Sequence, residues 1–171
     1  MANTLEAIIE EADGKQRGVP LEHLKQLGKG AGSSVALYNV DGSLVAEKTF
    51  KSFGVSGLIA KVLNLICFQT AHPYRRNYHA VRAAYHRRKA LAILSEFWYE
   101  EQTIANALYT RFSKEDDAFV LGTEFVDGKG FDYRHKSAVR FLADFSQKLR
   151  SAGFIGATWQ TEPALLVTTS N

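Results

Sequence analysis

The sequence is short of the residues that mark several classes of protein. It has a single cysteine, Cys67, which excludes a disulfide framework and any zinc site built from several thiolates. Its only prolines are Pro20, Pro73 and Pro163, so no proline-rich linker organises the chain. No stretch reaches the ~18 uncharged apolar residues that a membrane-spanning helix needs. The N-terminal segment MANTLEAIIEEADGK is acidic and lacks the basic start and apolar core of a secretory signal. Neither sign of charge dominates: 21 lysines and arginines oppose 18 acids, leaving +3, which alone argues for no nucleic-acid partner. What is present is ordinary for a folded protein, with 46% apolar and 23% charged residues in 171. That length suits one domain, or one lobe of a larger one. The expectation is a reduced, cytoplasmic protein.

The charge is unevenly spread. From Tyr74 to Lys89 there are Arg75, Arg76, Arg82, Arg87, Arg88 and Lys89, with His79 and His86 and no acid. Residues 4–12 read as a short acidic amphipathic helix before a turn at Asp13-Gly14. From Leu21 to Thr49 the pattern is strand-like, and Asp41-Gly42 between VALYNV and LVAEKTF is a hairpin signal, since both turn positions must tolerate positive φ. Residues 54–68 read as an apolar helix. From Tyr74 to Phe112 neither glycine nor proline occurs, and the spacing is helical. One helix of that length would run about 58 Å, so a break near Ser95 is expected. AFVLGTEFV is strand-like again, and Ser137 to Arg150 is a further amphipathic helix. Strands, then helices, then strand, then helix make an α+β order rather than an alternating one.

Four features carry chemistry. Gly28, Gly30 and Gly32 crowd between two predicted strands, beside Ser33 and Val35. Glycines there let backbone N–H groups approach a phosphate, or simply make a flexible turn. A strand rather than a helix follows them, so this is no dinucleotide fingerprint. The next strand carries Val45-Ala46-Glu47-Lys48, and alternation gives Ala46 and Lys48 a common face. A buried ammonium requires a carboxylate. On heptad spacing Leu91, Leu94, Trp98, Glu101, Ala105, Leu108 and Phe112 form a stripe whose one charge is Glu101, with Glu100 on a neighbouring row. Finally, Phe119 to Gly128 is an apolar strand ending in Thr123-Glu124-Phe125-Val126-Asp127-Gly128.

In this order the glycine-rich hairpin, strand lysine, helix glutamate and Glu-aromatic-Val strand end resemble the protein kinase-like superfamily, over roughly residues 21–130. The resemblance implies a kinase-like small lobe with a twisted antiparallel sheet of about five strands. It further implies an enlarged helical insertion before the ion-pair helix, and one or two helices of an incomplete large lobe. The domains would be an N-terminal helical extension at 1–20, the small lobe at 21–128 with its insertion at about 53–90, and the start of the large lobe at 129–171. It implies ATP as ligand, with Gly28, Gly30, Gly32, Ser33, Val35, Ala46, Lys48 and Glu101 around the nucleotide. Thr123 would be the gatekeeper, and the Glu124 carbonyl and Val126 amide would meet the adenine.

The departures from the family lie downstream. About fifty residues separate Lys48 from Glu101, more than an ordinary protein kinase has, as in atypical bacterial kinase-like proteins. No aspartate follows Asp144: with Asn171 as the metal-binding asparagine the residue five before it is Leu166, and with Gly156-Ala157-Thr158 aligned to the family's His-Gly-Asp instead, Thr158 replaces the base. The expectation is therefore nucleotide binding without phosphoryl transfer by this chain alone, and poor magnesium binding. Residues 141–167 would present large-lobe surface for self-association or a partner protein. A competing reading makes the basic helix 74–89, with Tyr74, Tyr78 and Tyr85, a nucleic-acid or anionic-membrane module. Together with apolar segment 53–68 it would place the protein against the inner face of the membrane. His72, His79, His86 and His135 lack a ligand spacing, and structural or solvated roles are expected for them.

Overall fold

Leu5, Ala7 and Ile9 alternate with Glu6, Ile8 and Glu10, a period of two that suits a strand with one buried face. In the computed structural model, which describes residues 4–29, 33–50, 77–100, 104–127 and 136–154, this segment is strand β1 (Thr4–Glu10). It is followed by β2 (Gln16–Lys29), β3 (Ser33–Val40) and β4 (Ser43–Phe50). Helix α1 (Tyr78–Tyr99), strands β5 (Ala107–Ser113) and β6 (Ala118–Glu124), and helix α2 (Lys136–Ser151) complete the described elements.

The strands form a closed antiparallel barrel in the order β1-β2-β3-β4-β6-β5. This overturns the expected kinase-like small lobe with its twisted antiparallel sheet of about five strands. The reason is local. Of the segment 4–12 expected as a helix, Thr4–Glu10 form a strand, because pairing with β2 from Thr4↔Glu22 to Glu10↔Gln16 buries Ile9 against Val19 and Leu21. Its far edge then meets β5 at Ile9↔Arg111 and Glu10↔Thr110, and the sheet closes. The second helix expected towards Phe112 is likewise replaced by β5, whose aromatic residues pair with β6 from Ala107↔Thr123 to Ser113↔Ala118. The expected hairpin does form: Asp41 and Gly42 take positive φ at the turn, and β3 pairs with β4 from Ser33↔Phe50 to Val40↔Ser43.

The barrel interior is filled by Ile9, Val19, Leu21, Val40, Val45 and Tyr109. The outer face carries a second cluster, where Phe50, Ala107 and Leu121 pack against Val81 and Tyr85 of α1. Helix α1 starts at Asn77, whose side chain accepts from the Ala80 amide at 3.0 Å, the usual service of an N-cap. It ends at Glu100 in the left-handed region, φ 57°. Its length reflects two partners. The first half packs on the barrel, whereas Ala92, Leu91, Leu94, Trp98 and Tyr99 pack with Phe145 and Leu149 of α2.

The barrel closes through little pairing, and α1 reinforces it from outside. Arg82 donates to the carbonyls of Glu10 and Glu11 and to Thr110 Oγ1, and its guanidinium lies 3.6 Å from the Glu10 carboxylate. Tyr78 Oη donates to the same carboxylate at 2.8 Å. Arg88 Nε donates to the Ala105 carbonyl ahead of β5. Among the described residues no helix is long and apolar enough to cross a membrane.

Candidate functional site

Strand register places several of the sequence-marked residues on one surface. Gly28 stands opposite Val35, Val35 opposite Lys48, and Lys48 opposite Leu121. One row over, Leu37 faces Ala46 and Ala46 faces Thr123. Directly paired residues share a face, so Val35, Ala46, Lys48 and Thr123 lie together on the outside of β3, β4 and β6. Ser33, opposite Phe50, lies on the same face. Gly30, Gly32, Glu101 and Asn171 lie outside the described residues, as do Arg75, Arg76 and segment 53–68.

Two rows of different character make up this face. Ala46 and Thr123 offer small side chains beside the larger, buried Leu37, and the Thr123 hydroxyl donates to the Ala46 carbonyl at 3.2 Å, which ties β6 to β4. Lys48 is half-buried, with its ammonium 5.4 Å from the centroid of the Phe50 ring, so the cation sits against the apolar contact with α1. At the β2–β3 stem the Gln26 side-chain amide donates to the carbonyls of Gly28 and Val35, at 2.7 and 2.6 Å. It fixes the base of the glycine hairpin from the side.

Beyond Thr123 the chain is held on two sides. The Glu124 amide donates to the Asn106 carbonyl at 3.0 Å, while the Glu124 carboxylate accepts from the Asn106 amide at 2.9 Å. The Phe125 amide donates to the Leu44 carbonyl at 3.3 Å. Val126 follows, half-buried. Asn106 Oδ1 is buried without a hydrogen-bond partner.

The opposite face of β4 holds what sequence reasoning missed. Glu47 is 1% exposed, inside the barrel. Its Oε1 accepts from Tyr109 Oη at 2.9 Å and Arg111 Nε at 2.6 Å, and its Oε2 accepts from Arg111 Nη2. Strand β6 lies between β4 and β5, so both donors reach across it. Gly122 makes that possible: it pairs with Glu47 on one side and Tyr109 on the other, and the Tyr109 ring occupies the space where a side chain would be. Burial lowers the proton affinity of Arg111, but the hydrogen bond and charge of Glu47 more than offset it, and the guanidinium ends above its ordinary value. Burial, then the charge and hydrogen bond of Glu47, push the Tyr109 hydroxyl well up. Removing one partner of such a pair costs ~3–5 kcal/mol, because the other charge stays buried.

A signal for this pair exists in the sequence. Glu47 is an acid at an inward position of the apolar run LVAEKTF, and Arg111 is a base within ALYTRFS. Reading the latter as helix hides the match.

The basic helix is mostly occupied. Arg82 and Arg88 bind carbonyls, Tyr85 is fully buried, and Lys89 lies 5.9 Å from the Tyr85 ring centroid. His79 and His86 are exposed and stack edge-on with Tyr78 and Tyr85. Among the described residues no group of three or more histidine, cysteine, aspartate or glutamate side chains is arranged to hold a metal. The sequence matches no protein-family model and no curated protein.

Proposed function

We propose that the outer face of β3, β4 and β6 binds an adenine nucleotide. Lys48 meets the phosphates beside Gly28, and the base lies over Ala46 beside Thr123. The Glu124 carbonyl and Val126 amide supply its in-plane hydrogen bonds. The observation that carries this reading is the register: two adjacent rows bring Val35, Ala46, Lys48 and Thr123 to one face with Gly28 at its end. A nucleotide needs that combination. The base requires small side chains beneath it, and the phosphates require a cation plus backbone N–H groups nearby. The reading is one of nucleotide binding, on a barrel and not on a kinase-like lobe. Such a ligand fits a cytoplasmic setting.

The test is titration of the chain with a fluorescent trinitrophenyl ATP analogue, with and without magnesium. Saturable binding displaced by ATP is expected. A lysine–phosphate contact is worth ~1.5–3 kcal/mol, so Lys48→Met should weaken affinity by ~10–100-fold. Unchanged affinity in Lys48→Met would remove the phosphate site from this face. Steady ATP turnover would contradict the expectation that the chain binds without transferring phosphate.

The nucleic-acid or membrane alternative has less to rest on. Arg82 and Arg88 are engaged with the barrel, which leaves Arg87 as the exposed base on the described part of the helix.

A further inference from the structure

A charged group inside a small barrel core is costly, and it tolerates few arrangements of its surroundings. Glu47 is the only charged residue among the buried described residues. Its partners come from the strand beyond the neighbouring one, reaching over Gly122. Any slip of β4 along β6 would carry the carboxylate away from both Arg111 and Tyr109, leaving a buried acid and a largely buried base unpaired. A one-residue slip would also turn Glu47 outward and Lys48 inward. The apolar residues of β4 discriminate registers less sharply, since Val45 and Phe50 need only an apolar neighbour.

We propose that Glu47, Tyr109 and Arg111 form a lock inside the barrel that fixes the register of β4 against β6. The lock thereby positions Ala46 and Lys48 on the outer face. Its effect on ligand rests on the nucleotide reading; its effect on register does not. The coupling is geometric. Glu47 is covalently between Ala46 and Lys48, and Gly122 is between Leu121 and Thr123, so the pair Glu47↔Gly122 holds the two flanking outer pairs, Ala46↔Thr123 and Lys48↔Leu121. The three residues are positioning residues, for none of them faces the ligand surface.

The test compares the full chain with the double variant Glu47→Met/Arg111→Met and with Tyr109→Phe. The double variant removes both charges together and so avoids an orphan, and exchange of a buried pair for apolar residues is often neutral for stability. Amide hydrogen exchange, thermal unfolding and the trinitrophenyl ATP titration are read on each. The lock predicts a double variant that still unfolds cooperatively, with exchange at residues 46–49 and 120–123 accelerated by ~10-fold or more relative to β2 and β3. Its probe affinity should fall by ~10-fold or more at a matched thermal midpoint. Tyr109→Phe, which keeps the ion pair, should show the same pattern in smaller measure and serves if the double variant does not fold. Wild-type exchange across β4 and β6 in the variants that fold, or acceleration spread evenly over all strands, would overturn the lock. If the wild-type chain fails to bind the probe, the nucleotide reading falls, while the exchange pattern still decides the register claim.

Discussion

The ring of Tyr109 lies so close to Gly122 that a methyl group there would come within 2.6 Å of it. The tyrosine hydroxyl then continues to the Glu47 carboxylate on the next strand. Gly122 is thus a gap in the inner face of β6 through which β5 and β4 communicate.

Gly122→Ala should therefore destabilise the protein by ~1–3 kcal/mol, the range for overfilling a packed core. Gly18→Ala, where an added methyl meets nothing within 4 Å, should stay within ~0.5 kcal/mol of the wild type. Urea unfolding of the two variants checks the contrast. Equal effects would mean that the Tyr109 ring has an alternative position.

Arg82 should matter most to the join between β1 and β5. That join has two register pairs, whereas β1 has seven with β2. Arg82 donates to backbone on the β1 side and to Thr110 on β5. Arg82→Ala should cost ~2–3 kcal/mol, as for hydrogen bonds from a charged donor. Exchange should rise in β1 ahead of β3 and β4. Lysine should rescue poorly, since one ammonium cannot reproduce the forked geometry. Uniform acceleration would place the role of Arg82 elsewhere.

Alkaline pH should unfold the protein through its tyrosines. Burial pushes Tyr38, Tyr85, Tyr99 and Tyr109 above the ordinary tyrosine value. Tyr78 is raised chiefly by its bond to Glu10. Below about pH 10 these hydroxyls are neutral in both folded and unfolded chains, and their contribution to stability is fully present. Above it the unfolded chain loses protons that the folded chain retains, so stability falls as pH rises. Tyrosinate absorbance should lag a free-tyrosine curve and then rise with the loss of circular dichroism. Full ionisation ahead of unfolding would contradict the buried, bonded hydroxyls.

How far the sequence reveals this molecule differs from element to element. The β3–β4 hairpin is legible because Asp41-Gly42 supplies the turn and the flanking runs are rich in β-branched and aromatic residues. Strand β6 and helix α2 are legible for similar local reasons. Strand β1 is not: Leu5, Ile8 and Ile9 fit a helical stripe as well as a strand, and only pairing with β2 decides between them. Strand β5 was hidden by the absence of glycine or proline between Tyr78 and Phe112; Glu100 itself takes the left-handed turn that a glycine would have announced. Closure of the barrel follows from these two strands together. Of the site, the common face of Ala46 and Lys48 is visible from alternation alone. The Glu47–Arg111 pair depends on cross-strand order, which no single segment encodes.

The central claim is that the face carrying Ala46, Lys48 and Thr123 holds an adenine nucleotide, and amide chemical-shift mapping of the labelled chain during ATP titration tests it most directly. The account predicts saturable shifts centred on Val35, Ala46, Lys48, Thr123 and Val126, with Val19 and Leu21 inside the barrel unmoved. Shifts confined to the exposed side of α1 around His86 and Arg87, or none at millimolar ATP, would contradict it.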